Sequence, residues 1–143
     1  MSVGPHAILW PAFALAALTF VVWLRMFFVR VGEMRRLRIH PQSVATSPQA
    51  AQRFVDTRAA DNFRNLFELP VLFYAALAIA HATAVASGAL LVLAWLFVAL
   101  RALHSAIQCS YNRVMHRFLA YLAGGLMLWA LWGVLAVSLA RLT

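Results

Sequence analysis

The stretch Arg64-Asn65-Leu66-Phe67-Glu68-Leu69-Pro70 stands at the head of a long apolar run. From Leu69 to Leu100 the chain carries no formal charge. Charged groups at the edge of hydrocarbon are costly and are kept for pairing or for function. The run itself decides the fold class. Two other stretches also lack formal charge, Met1–Leu24 and Phe118–Ala140. Each of the three is long enough for a helix that crosses a bilayer, which takes roughly 20 residues. Leu69–Leu100 is too long for one such helix, and Ala86-Ser87-Gly88 marks a turn inside it.

The sequence therefore predicts an all-α integral membrane protein, a bundle of four transmembrane helices in one domain over residues 1–143. The helices are expected at about 7–31, 53–85, 89–112 and 115–141, with a loop at about 32–52. Composition agrees: 64% of the 143 residues are hydrophobic and 11% are charged. Mean hydropathy is +0.81. The first apolar stretch lacks a basic segment before it and a small-x-small site after it. It reads as a retained span and not as a secretory signal.

All twelve basic residues are Arg, and seven of them lie from Arg30 to Arg64. Basic loops stay cytoplasmic. The 30–64 loop and the third-to-fourth turn, flanked by Arg113 and Arg117, are thus expected on the cytoplasmic side. Both termini are expected on the other, periplasmic side of a bacterial inner membrane. This placement accounts for the net charge of +8 without a nucleic-acid partner, and no groove-reading helix or stacking platform is evident. Cys109 is alone, so no disulfide can form within the chain; it reads as a packing residue. The five His are scattered and show no metal-ligand spacing.

Polar residues gather at one membrane edge. Asp61, Asn65 and Glu68 recur at i, i+4, i+7, which is one helical face. Arg64 stands four before Glu68 and is placed to pair with it. Pro70 removes the donor for the Leu66 carbonyl and predicts a kink. Arg101, His104, Gln108 and Tyr111 recur at i, i+3, i+7, i+10 on the third helix. Arg117 and Tyr121 open the fourth. A carboxylate, an amide, a His and several Arg at one depth form a site for a zwitterionic or anionic molecule, with apolar walls for a lipophilic one. The polar groups stop near Tyr74 and Tyr121, so they outline a pocket and not a conduction path.

These residues resemble the MAPEG family, the membrane-associated proteins in eicosanoid and glutathione metabolism. The resemblance covers nearly the whole chain. It rests on four spans in this order, on Arg64-Asn65-x-x-Glu68 followed by Pro70, and on Arg101-x-x-His104 with Arg117 and Tyr121 downstream. The spacing is similar to the prostaglandin-E-synthase branch and its bacterial relatives. The resemblance implies a homotrimer that binds glutathione, as co-substrate, at the cytoplasmic side between subunits. Its thiolate would be presented to a lipophilic electrophile or hydroperoxide. Carried over, Asn65 and Glu68 would hold glutathione's polar backbone, with help from Arg64, and Glu68 would meet its amino group. Arg117 would stabilise the thiolate. His104, Gln108, Arg113 and Tyr121 would line the same pocket. An Arg near the end of the first helix would also contact glutathione: Arg30, with Arg25 and Arg35 as alternatives. Gln108 stands where the synthase branches carry a Tyr. A second reading is therefore a non-catalytic protein of the same fold that binds a lipid or a protein partner.

Overall fold

The structure is a computed structural model, described over residues 4, 6–85 and 87–142. Their regular structure is all helical, with no strand among them. A single 3-10 turn at Ala7–Leu9 leads into α1, Trp10–Arg36. Then follow a 3-10 turn at Pro41–Val44 and α2, Ser47–Arg53. The remaining helices are α3, Arg58–Asn65; α4, Leu69–Ala82; α5, Gly88–Cys109; and α6, Val114–Ala140. Four stretches are long and apolar enough to cross a bilayer: Ala7–Arg36, Arg58–Ala82, Gly88–Cys109 and Val114–Ala140. The chain is an integral membrane protein with a four-helix transmembrane bundle.

α1 outlasts its expected end at residue 31. Gly32 alone does not stop a helix, and Glu33-Met34-Arg35-Arg36 are good helix formers. The helix ends where Arg38 turns left-handed, at φ 51°. The Ile39 N–H then donates to the Met34 carbonyl at 3.0 Å, a Schellman closure. The expected loop at 32–52 also contains helix: Pro48 sits in the first turn of α2, where its missing N–H costs nothing.

The second span departs furthest from expectation. It is not one helix from residue 53 with a kink at Pro70. α3 starts at Arg58, where the Asp56 carboxylate accepts the Arg58 backbone N–H at 3.1 Å. It stops at Asn65, and α4 restarts at Leu69. The physical cause is Pro70. Its ring is intolerable inside a helix but welcome in a first turn, so the helix breaks before it. The break falls at Leu66–Glu68, beside the polar cluster.

α4 closes like α1. Val85 N–H donates to Ala80 O at 2.9 Å and Ala84 N–H to His81 O at 3.1 Å. Ala84 is left-handed, at φ 54°. The Ser87 hydroxyl then accepts the Leu90 N–H at 3.2 Å and starts α5. The turn thus spans Thr83–Ser87, and Ala86 lies outside the described residues. A left-handed Ala costs about 1 kcal/mol that Gly does not. Ala84→Gly is expected to raise stability by up to about that much, read from thermal unfolding in detergent.

The core is built from α4, α5 and α6 against one face of α1. Phe73 and Phe97 stack with centroids 4.6 Å apart. Leu15, Val22, Leu77, Leu90, Leu128, Leu131 and Leu135 surround them, all buried. A Cβ on Gly124 would lie 3.7 Å from the Cβ of Leu100, so α5 and α6 approach closely there. Trp10, Phe13, Phe20, Phe28, Leu126 and Trp129 stay exposed on the outer faces, as suits contact with lipid.

Candidate functional site

Two clefts open at the polar end of the bundle and share one residue, Asp61. The larger, about 440 Å³, brings together Asp61, Asn65 and Glu68 from α3 and the break, His104 and Gln108 from α5, and Val114, Arg117, Phe118 and Tyr121 from α6. The smaller, about 240 Å³, lies between α1, α2 and α3 and includes Arg30, Phe54, Asp56 and Arg64.

Six of the sequence-predicted residues meet in the larger cleft: Asn65, Glu68, His104, Gln108, Arg117 and Tyr121. Arg30 and Arg64 line the other cleft. Arg113 is exposed just before α6 and lines neither; Arg35 is exposed as well. Arg25 turns to α5, where its guanidinium donates to the Cys109 carbonyl at 2.5 Å.

Two expected arrangements are corrected. Arg64 faces Asp61, at 3.8 Å, and not Glu68. The break after Asn65 carries Glu68 off the α3 helical register, so the i, i+4 geometry is lost. Tyr111 does not share a face with His104 and Gln108. α5 ends at Cys109, and Tyr111 swings away to bond the His116 Nδ1 at 3.2 Å.

At the centre lies a network of three side chains. His104 Nδ1 is 3.1 Å from the Arg117 carbonyl oxygen, which can only accept, so Nδ1 carries a proton. His104 Nε2 is 2.9 Å from the Gln108 amide, and that amide is 3.2 Å from the Asn65 amide. The network is self-consistent in two settings. A neutral ring needs the Gln108 NH₂ turned toward Nε2, with the Asn65 oxygen taking its second N–H. A doubly protonated ring donates to the Gln108 oxygen, which also accepts from Asn65. Gln108 thus offers the cleft an acceptor in one setting and a donor in the other.

Arg101 lies behind this network with no exposed surface. One Nη donates to the Asn65 carbonyl at 2.6 Å, and the guanidinium sits 5.7 Å from the Tyr121 ring centroid. Its Nε and other Nη have no partner among the described residues. Arg117 donates to Asn112 Oδ1 at 2.9 Å, which fixes its guanidinium at the cleft wall. The Tyr121 ring lies 5.9 Å from that of His104. The Glu68 carboxylate is exposed and has no ion-pair partner among the described residues, which leaves it available to a cationic group.

Two acidic residues at this end of the bundle were not among the expected glutathione-binding residues. Asp61 was on the right face, and the structure puts it on the wall between the clefts. Glu33 is 7% exposed and accepts the Val55 and Asp56 backbone N–H groups at 2.9 and 3.1 Å. The signal was its isolation, the one acid among the Arg residues between 25 and 53. Beside it, the Arg58 guanidinium grips Asp56 at 2.8–2.9 Å and holds its carboxyl below the usual carboxylate range. Cys109 is half-buried and receives a bond from Asn62 Nδ2 at 3.5 Å, a packed position.

No curated protein and no solved structure matches the chain. The MAPEG family model does, over residues 8–137. With four spans in order and Asn65, Glu68, His104, Arg117 and Tyr121 gathered in one cleft, the chain belongs to the MAPEG family.

Proposed function

We propose that the protein is a glutathione-dependent membrane transferase or peroxidase, close to the prostaglandin-E-synthase branch and its bacterial relatives. The observation that carries this reading is the convergence of Glu68, Asn65, His104 and Arg117 on a cleft of about 440 Å³ at the polar end of the bundle. Glu68 receives the amino group of glutathione, and Asn65 a main-chain group of the tripeptide. Arg117 faces the sulfur. A guanidinium beside a thiol favours the thiolate, the form that attacks. In transfer, the sulfur forms a bond to an electrophilic carbon as the leaving group departs with the electron pair. In peroxide reduction, the sulfur attacks the terminal oxygen, the O–O bond breaks, the alkoxide leaves and takes a proton to become an alcohol, and a second glutathione converts the resulting sulfenic acid to disulfide and water. Val114 and Phe118 offer the lipophilic substrate an apolar wall on the membrane side.

Arg30 and Arg64 line the neighbouring cleft, which meets this one at Asp61. On this reading the protein is a homotrimer, with glutathione between subunits and these two Arg contributed to it from that neighbouring cleft. The Arg-rich 30–64 segment supports a cytoplasmic position for this end, with both termini on the periplasmic side of a bacterial inner membrane.

Gln108 favours a second reading. It stands at the centre of the network and offers an amide, not a phenol, to the cleft. On that reading the fold binds a lipid or protein partner without turnover.

Calorimetry with glutathione on detergent-purified protein separates the two. Saturable binding is expected in the wild type. Glu68→Ala should weaken it by about tenfold to a hundredfold, the cost of one charge-assisted hydrogen bond. Arg117→Ala should bind but lose the ultraviolet absorbance of the bound thiolate. No binding heat from folded wild type at saturating glutathione would overturn the proposal and leave the second reading.

A further inference from the structure

A third cavity, about 230 Å³, lies between α1 and α5. It is lined from α1 by Leu18, Val21, Val22 and Arg25, and from α5 by Ala102, Ser105, Ala106 and Cys109. Both sets run at i, i+3, i+4, i+7, so two helical faces meet along a furrow. The α5 side is all small residues, which leaves the furrow unfilled. Its two polar groups turn away from it: the Ser105 hydroxyl donates to Asn62 Oδ1 at 3.2 Å, and Cys109 Sγ accepts from Asn62 Nδ2 at 3.5 Å. The floor is apolar and the mouth carries a charge.

That charge is unusual. Arg25 is the one formally charged residue before Arg30, and it falls within the first span. A charge there should have a counter-charge. Among the described residues its hydrogen-bond partner is the Cys109 carbonyl. A guanidinium has five N–H donors, so most stay open. Arg25 acts on Asp56 through space, but the Asp56 oxygens are already taken by Arg58. Depth also fits. Arg25 lies 18 residues after Ala7, about 27 Å along a helix at roughly 1.5 Å per residue. A hydrocarbon core is about 30 Å thick, which puts Arg25 near the far headgroup level.

We propose that this furrow holds an acyl chain of an anionic phospholipid whose headgroup is bound by Arg25. The chain lies along Val22 and Ala106, and the phosphate completes the guanidinium that Cys109 only partly satisfies. The site is separate from the thiol cleft, and its occupancy is read without any turnover.

The test is native mass spectrometry and thermal unfolding of the detergent-purified protein with added phosphatidylglycerol or phosphatidylcholine. Wild type should retain phosphatidylglycerol preferentially, one per chain, and unfold at higher temperature with it than with phosphatidylcholine. Arg25→Gln, which keeps a donor for Cys109, should lose the headgroup preference, and Arg25→Lys should keep it. Ala106→Phe fills the furrow from an exposed position and should release the lipid while Arg25 is intact. Equal retention of both lipids by wild type, or a preference that survives both Arg25→Gln and Ala106→Phe, would overturn the assignment. If Arg25→Gln does not fold, Ala106→Phe decides.

Discussion

Arg101→Met is expected to unfold at a higher temperature than the wild type and to lose most of its glutathione affinity. Arg101 is the largest fully buried side chain, at 0% exposure. It has one hydrogen bond, to the Asn65 carbonyl, and two buried nitrogens with no partner among the described residues. Leaving such groups unpaired costs about 1–3 kcal/mol each. Met has similar length, bends to fill the space and carries no charge. Replacing buried charge by an apolar side chain commonly gains about 1–4 kcal/mol. At roughly 2–4 °C per kcal/mol for a chain this long, the shift is easily read from thermal unfolding in detergent. Function should move the other way. Arg101 anchors the main chain of Asn65 and lies beneath Tyr121, two walls of the cleft. Without it the cleft loses both that anchor and its positive floor, and glutathione affinity should fall by more than about tenfold. A lower unfolding temperature would show that Arg101 has partners in the folded protein that compensate its burial.

Glu33→Ala is expected to free the segment between α1 and α3. Glu33 accepts two backbone N–H groups, from Val55 and Asp56, and stands 3.7 Å from Arg36. Charge-assisted bonds of this kind are worth about 1.5–3 kcal/mol each. Removing the carboxylate leaves both donors open and unties the segment that walls the Arg30 cleft. Trypsin supplies a local readout, because Arg38 and Arg53 lie in this segment. Cleavage there should speed up by roughly tenfold or more where opening is fast relative to cutting. The Arg residues of α5 and α6 should stay protected. Glu33→Gln keeps one acceptor and should lie between the two. Unchanged cleavage in Glu33→Ala would mean that the segment is held by other contacts.

The four spans were legible because apolar length is a one-dimensional signal, and Leu69–Leu100 could not be read otherwise. Asn65, Glu68, His104, Arg117 and Tyr121 were legible as one cleft because helical spacing and membrane depth together fix which faces meet. Three features were not. Tyr111 was placed by extending a helical period past the point where α5 ends. Arg64 was paired with Glu68 on the premise of a continuous helix, and the break dictated by Pro70 lies between them. Glu33 holds backbone groups more than twenty residues away, and such a partner has no local period to betray it. Gln108 was recognised as a departure. Its part in the His104 network depends on which way an amide faces, and that is set by tertiary neighbours.

The carboxyl end of α5 has a consequence for how the chain is made. Arg25 of α1 and Arg58 of α3 both donate to its last carbonyls, at Cys109 and Ser110, across 84 and 52 residues of chain. The ribosome delivers both donors well before either acceptor. Until the third span arrives, Glu33 can tie α1 to the segment before α3, but Arg25 and Arg58 lack their carbonyls on α5, and each keeps a guanidinium that resists being pulled into hydrocarbon. The third span is thus a keystone for biogenesis. Nascent chains cut short before residue 109 should remain open to insertion errors and to surveillance proteases, whereas chains only slightly longer can fasten.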